Sequence, residues 1–321
     1  MPDLTITRDP AVPVLPALIA GAGNRAALRF LEFFTVNIRN KNTRAAYTRA
    51  AAEFLRWCEE QGIGELGRVQ PVHVATYIEL LQGRRSAPTV KQHLACIRML
   101  FDWLVTGQVM PSNPAHSVRG PRHSVSKGST PVLSSEEATA LLTGMDVSSI
   151  VGLRDRAVIA VMTYTFARVG AVVALCVEDY FSQKKRWWLR LHEKNGKVNE
   201  MPCHHKLEEY LDVYIKVAGL SDDRKGPLFR AAIGKTKKLG PGAMSRTDVW
   251  YMVRRRAAGA GIETAIGCHT YRATGITDYL TNGGRIEVAQ RMAGHSNAKT
   301  TGLYDRRNDD ISVGEVERIG I

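Results

Sequence analysis

Residues 267–307 read GCHTYRATGITDYLTNGGRIEVAQRMAGHSNAKTTGLYDRR, and four reactive side chains fall in them at spacings a helical scaffold can bring together. His269 and Arg272 are three residues apart, so one face of a helix presents both. Ile276, Tyr279 and Leu280 continue that helix as an apolar face, and Gly283-Gly284 stop it. A second helical pattern (Ile286, Ala289, Met292) breaks at Gly294 and leaves His295 at a turn. Ser296 or Asn297 is placed to cap a short last helix that carries Tyr304. Two imidazoles, a guanidinium and a phenol near helix ends suit chemistry on a phosphate.

Two stretches upstream carry further candidates. Residues 150–167 read as a buried helix that ends in Thr165-Phe166-Ala167-Arg168-Val169-Gly170-Ala171. Residues 186–202, RWWLRLHEKNGKVNEMP, alternate on either side of Asn195-Gly196, which predicts a two-residue hairpin turn of type I′. Lys194 and Lys197 both lie at the mouth of that turn.

The segments HTYR (269–272), AGHS (293–296) and LYDRR (303–307) resemble, in order and separation, the H-x-x-R, G-H and Tyr boxes of the tyrosine recombinases, the phage-integrase family. Thr165–Ala171 resembles the family's arginine box, usually T-G-L-R-x-x-E, with Ala171 where an acid normally helps to hold the site together. Lys194 matches the family's hairpin lysine, and Lys197 is the second candidate. The resemblance therefore implies a catalytic set of Arg168, Lys194, His269, Arg272, His295 and Tyr304. A guanidinium can donate two parallel hydrogen bonds to phosphate oxygens, which suits Arg168 and Arg272 as a clamp, with His295 as a further donor. Phenols as a class titrate near about 10, so Tyr304 as nucleophile needs a base, for which His269 is the candidate. Lys194 would protonate the 5′-oxygen leaving group. Family behaviour implies a 3′-phosphotyrosyl intermediate, no metal or nucleotide cofactor, and a homotetramer on two double-stranded DNA sites that works through a Holliday junction. Beyond Tyr304, the apolar Ile311, Val313, Val316 and Ile319 suggest a docking tail over about residues 306–321, received by a neighbouring protomer or by its own subunit. A type IB topoisomerase shares the nucleophile and clamp, and a catalytically silent architectural DNA-binding protein is the rival from another class.

Composition agrees with a nucleic-acid partner. Lys and Arg number 44 against 31 Asp and Glu, a formal charge of +13, more than solubility requires of 321 residues. Five scattered cysteines without a C-x-x-C pair argue against a disulfide framework and for a reducing compartment, so the expected location is cytoplasmic, on the nucleoid. Cys203-His204-His205 lacks a second ligand pair at suitable spacing, so no metal site is expected. Residues 10–23 are broken by three prolines and read against a signal peptide. Residues 157–177 are long and apolar, but Arg168 at their middle would cost about 2.5–3.5 kcal/mol on insertion, which excludes a membrane role for them. The GKTKK run at 234–238 lacks phosphate-loop spacing.

Length predicts two domains. Residues 1–23 read as a mobile tail, and four helical patterns with no alternating segment fill 24–107. This half resembles the family's core-binding domain, by pattern only. Its basic clusters, Lys41, Arg44 and Arg49 and then Arg84, Arg85 and Lys91 with His93, are candidate DNA contacts, as is Thr43. Residues 108–130 read as a basic linker whose Arg119, Arg122 and Lys127 could track a phosphate backbone. The catalytic domain spans 131–321. It includes a long basic loop over 221–243 and a helix whose Arg254 and Arg255 are expected to face DNA. The fold class is mainly α with a small β-sheet.

Overall fold

Periodic apolar spacing becomes a helix here where a cap or a proline fixes its start. The computed structural model describes residues 15–124, 128–193, 196–305 and 317–319. Its contacts divide the chain into two units, at Ser124 and Val125.

The first unit is helical: α1 (Ala17–Gly21), α2 (Asn24–Glu32) running into a wider π-type turn over Phe33–Asn37, α3 (Lys41–Glu60), α4 (Pro71–Gln82) and α5 (Ala87–Thr106). Asn40 caps α3, its side-chain oxygen accepting from the backbone N–H of Asn42 and Thr43 at 3.0 and 3.1 Å. Prolines sit in the first turns of α4 and α5, where no backbone donor is missed. Phe30, Phe33, Phe34, Phe54 and Phe101 fill the core, and Phe54 meets Tyr77 and Phe101 edge-on at 5.1 and 6.2 Å.

Two boundaries differ from the sequence reading. Leu18 and Ile19 of α1 are buried in this core, so the chain is packed from within the segment expected as a tail, whose residues 1–14 lie outside the described residues. Residues 108–118 fold back on α5 rather than leaving the bundle. Met110, Ala115 and Val118 are buried, Arg98 donates to the carbonyls of Ala115 and Val118, and Asn113 donates to Asp102 and to the carbonyl of Arg98. Proline and serine content reports a segment without helix or strand, but not whether it is packed. Lys127 lies outside the described residues.

In the second unit α6 (Ser135–Thr143) starts at a reciprocal cap between Ser134 and Glu137. The helix that centres the unit is α7 (Ile150–Tyr164), with Ala157 to Met162 fully buried between α9 (His205–Ala218) and α11 (Cys268–Thr281). Between α7 and α9 lie the short α8 (Val169–Val172) and an antiparallel sheet in the order β1 (Tyr180–Gln183), β2 (Arg186–His192) and β3 (Val198–Pro202). The sequence reading contained no β1. In β2 Leu189 and Leu191 share the buried face, as a two-residue period requires.

His192 pairs with Val198, and the Glu193 N–H donates to the Lys197 carbonyl at 2.7 Å. Gly196 has φ +74°, and Lys194 and Asn195, on which the expected type I′ turn falls, lie outside the described residues. Residues 221–243, expected as a loop, contain the hairpin β4 (Arg230–Ala232) and β5 (Leu239–Ala243). The unit closes with α10 (Arg246–Gly259), α11, α12 (Ile286–Met292) and α13 (Ala298–Gly302). Most of the expected docking tail lies outside the described residues, and Ile319 is exposed. Among the described residues no helix is long and apolar enough to cross a membrane.

One close approach positions the site. Phe166 follows α7 with φ +56°, a left-handed conformation unusual for a bulky side chain. Its ring packs against α11 at Gly275, where a Cβ would fall 2.8 Å from Phe166 Cε1 and against the Thr163 carbonyl. Gly275→Ala is expected to destabilise the full-length chain by about 1–3 kcal/mol in denaturant unfolding, while Gly242→Ala, which meets nothing within 4 Å, changes stability by less than about 0.5 kcal/mol.

Candidate active site

The first turns of α11 present His269 and Arg272, and Arg272 is completely buried. A buried guanidinium must find acceptors. Arg272 donates to the carbonyl of Phe166, after α7, and to the carbonyl of Ala293, after α12. It also lies 2.6 Å from His295 Nε2. Arg272 thus ties together the ends of two helices, while its Nε–H has no partner among the described residues. Burial, then the nearby charge of Arg168, pushes its pKa down to about 10, so it remains charged at neutral pH.

His295 follows Gly294, whose φ of +60° makes the turn after α12. Arginine only donates, so Nε2 of His295 accepts and its proton sits on Nδ1, 2.9 Å from the Thr301 hydroxyl. Burial, then the positive charges of Arg272 and Arg168, pushes this imidazole down to about 4, and it is neutral at pH 7.

Asn297 caps α13 through the Lys299 N–H, and the Thr277 hydroxyl donates to the Tyr304 carbonyl at 2.8 Å. These bonds place the Tyr304 ring parallel to His295, with centroids 5.9 Å apart, and its hydroxyl 2.7 Å from His269 Nε2. Tyr304 is only 7% exposed. The His269 pKa is lowered by burial, then by Arg272 and Arg168, so its neutral form, able to accept a proton, prevails at pH 7.

Arg168 stands immediately before α8 and donates through Nη1 to Glu193 Oε2 at 2.8 Å. The structure thus brings Arg168, His269, Arg272, His295 and Tyr304 together, and Lys194 lies outside the described residues. Sequence reasoning missed Glu193. Its partner is 25 residues away, and no helical or strand period relates the two.

The candidate DNA contacts divide. Lys41, Arg84, Arg85, Lys91, Arg119 and Arg122 are exposed. Thr43 takes part in the Asn40 cap, and Arg44 donates to the Ile38 carbonyl, holding the chain that enters α3. His93 is not a surface cation: it is buried beside the Tyr77 hydroxyl at 3.2 Å, and burial lowers its pKa. Arg254 stacks on Trp250 at 4.6 Å, while Arg255 approaches the buried Asp155 at 3.5 Å. Beside His269 the groove of about 690 Å³ is instead lined by Arg246, Thr247, Trp250 and Tyr251 from the first turns of α10. The four-residue spacing Arg246, Trp250, Arg254 was the available signal.

No group of side chains suited to hold a metal occurs among the described residues, Cys203-His204-His205 included.

Comparison with known proteins follows the two units. The phage integrase family pattern matches residues 131–310, and that of the phage integrase N-terminal SAM-like domain matches residues 27–109. Tyrosine recombinase XerD of Corynebacterium glutamicum is 26% identical over 288 residues, covering 86% of this chain and 91% of the relative. Among solved structures, the XerH site-specific recombinase bound to palindromic difH substrate has a TM-score of 0.65 at 18% identity, covering 87% of this chain and 78% of that one. A lambda integrase tetramer bound to a Holliday junction has a TM-score of 0.65 at 16% identity, covering 89% and 79%. At these identities the structural likeness concerns the fold. The site and the family pattern over residues 131–310 agree, and the chain belongs to the phage integrase family of tyrosine recombinases, enzymes that cleave and rejoin DNA strands.

Proposed function

We propose that this recombinase acts on double-stranded DNA with Tyr304 as its nucleophile, as a homotetramer on two DNA sites, exchanging one pair of strands at a time through a Holliday junction. The observation that carries the proposal is the Tyr304 hydroxyl 2.7 Å from an imidazole nitrogen, beside the Arg272 guanidinium. The tetramer is supported by the lambda integrase assembly of the same fold. Its working place is the nucleoid, in the cytoplasm.

In the first step the Tyr304 oxygen attacks the scissile phosphorus in line with the 5′-oxygen. Its proton passes to His269 Nε2, so the lowered pKa of that imidazole serves the reaction by keeping Nε2 free at neutral pH. As the bond to the tyrosine forms, negative charge grows on the non-bridging oxygens. Arg168 and Arg272 face that charge, with the unpartnered Nε–H of Arg272 among the donors. His295 donates to the same phosphate only with a proton on Nε2. The Thr301 hydroxyl can give a hydrogen bond to Nδ1 as readily as take one, and Arg272 must at the same time turn its Nη2 donor from His295 to the phosphate. The bond from phosphorus to the 5′-oxygen then breaks, and the leaving oxygen takes a proton from Lys194. The phosphotyrosyl bond keeps the phosphodiester's energy, so a 5′-hydroxyl from a partner strand reverses each step and reseals the break. Exposed Lys41, Arg84, Arg85, Lys91, Arg119 and Arg122, and the Arg246–Trp250 groove, hold the duplex backbone.

Tyr304→Phe is expected to form no covalent adduct on a nicked suicide substrate while binding the same DNA with unchanged affinity; an adduct formed by that variant overturns the assignment of the nucleophile. With wild-type protein, resolution of a synthetic Holliday junction is expected, and relaxation of supercoiled DNA without junction resolution would point to topoisomerase action instead.

The pH dependence has a definite sign. The His269 pKa lies below the ordinary imidazole value of 6.5, so the cleavage rate at pH 6.5 stays above half its plateau and reaches half only at lower pH. His295 drops from 6.5 unfolded to about 4 folded, so the unfolded chain takes up a proton first and folding stability is lost as pH falls from 6.5 toward 4. A cleavage rate already halved at pH 6.5 would contradict a base with a lowered pKa.

A further inference from the structure

We propose that Glu193 is the positioning residue for Arg168, replacing the acid that this chain lacks at position 171. The inference rests on the reading of Arg168 as part of the phosphate clamp. Arg168 is the residue before α8, and no side chain caps that helix start. Ala171 is the third residue of α8, the place from which a glutamate reaches back to the cap position in a capping box. A methyl group buried at 3% exposure in the apolar core can do nothing of the kind. The carboxylate comes instead from across the fold. Glu193 Oε2 accepts from Arg168 Nη1 at 2.8 Å, and the Glu193 side chain is 8% exposed against 40% for Arg168.

The support is firm on the Glu193 side. The residue directly follows β2, its backbone N–H bonded to the Lys197 carbonyl, so the three-stranded sheet fixes where its carboxylate points. Its charge also reaches the second arginine: Glu193 favours the charged form of Arg272, while Arg168 opposes it. One carboxylate thereby offsets the repulsion between two guanidiniums that must converge on one phosphate. A contact so near the reacting phosphate has an alternative meaning, since the same carboxylate could simply compete with DNA for Arg168. The two meanings predict opposite signs.

The test measures single-turnover cleavage of a nicked suicide substrate at saturating protein, and DNA affinity separately, for Glu193→Ala, Glu193→Asp and Arg168→Ala in the full chain. Misplacing a clamp residue slows the chemical step, so Glu193→Ala is expected to lower the cleavage rate about 10- to 100-fold with DNA affinity held within about threefold. Glu193→Asp, which keeps the carboxylate, should recover part of that rate. In the double variant with Arg168→Ala, removal of Glu193 should cost nothing further, because its effect acts through the arginine. A faster cleavage in Glu193→Ala, or an equal loss with and without Arg168, overturns the proposal, and melting curves for each variant separate lost positioning from lost folding. If Arg168→Ala cleaves normally, the clamp reading itself fails. If Arg168→Ala is inactive and Glu193→Ala cleaves like wild type, only the role of Glu193 fails.

Discussion

A positive charge with no solvent exposure organises the reactive end of this protein. Burying a guanidinium is costly unless its donors are met, and the two terminal nitrogens of Arg272 find two main-chain carbonyls and one imidazole from separate segments, while Nε–H is left without a partner among the described residues. Two of these acceptors are themselves held in place by an unusual local structure. The Phe166 carbonyl is aimed by a left-handed residue, and His295 is delivered by the left-handed Gly294. The charge at the centre sets the protonation states around it. It forces Nε2 of His295 to accept, and it helps to depress both imidazoles, so the pocket has bases rather than further cations beside the phenol. In the proposed reaction those bases serve a phenol that must become a nucleophile, and the two arginines are left to meet the phosphate.

Much of this was legible in the amino-acid order because it is local. His269 with Arg272, the Gly294-His295 turn and the cap before Tyr304 are all relations within a helical turn or two, and spacing reports such relations directly. The buried helix before Arg168 and the strands flanking Asn195-Gly196 are legible for the same reason. What escaped depends on contacts between distant segments. Glu193 meets Arg168 across 25 residues, β1 exists because β2 pairs with it, and residues 108–118 are ordered by Arg98 and Asn113 rather than by any pattern of their own. His93 shows the converse error. Sequence order groups it with the exposed cations Arg84, Arg85 and Lys91, while its own helical phase turns it inward to Tyr77.

Phe166 and Gly275 show how a departure from the family's arginine box is accommodated. Where that box usually has glycine, this chain carries a phenylalanine at positive φ, which costs on the order of 1–3 kcal/mol in backbone strain. The ring is 3% exposed, meets Tyr279 edge-on at 6.2 Å and occupies the space that Gly275 leaves on α11. Apolar burial of an aromatic ring is worth about 1.5–3 kcal/mol, of the same order as the strain. The two positions therefore have to be read as a pair, and the backbone that carries the carbonyl to Arg272 survives the substitution.

The support of Tyr304 follows from these connections. Helices of seven and five residues, as α12 and α13 are, have little stability of their own, since helix nucleation is unfavourable and its gain needs length. Their placement must come from tertiary bonds. Asn199 of β3 donates to the Met292 carbonyl, Arg272 to that of Ala293, and Thr277 to that of Tyr304, so β3 and α11 together hold the end of α12 and the chain just past α13. Two of the three bonds originate on α11, the helix that also carries His269. The distance between Tyr304 and His269 is therefore set largely by α11 and not by the loops between them, which is why a hydroxyl two residues beyond so short a helix can be held 2.7 Å from His269 Nε2.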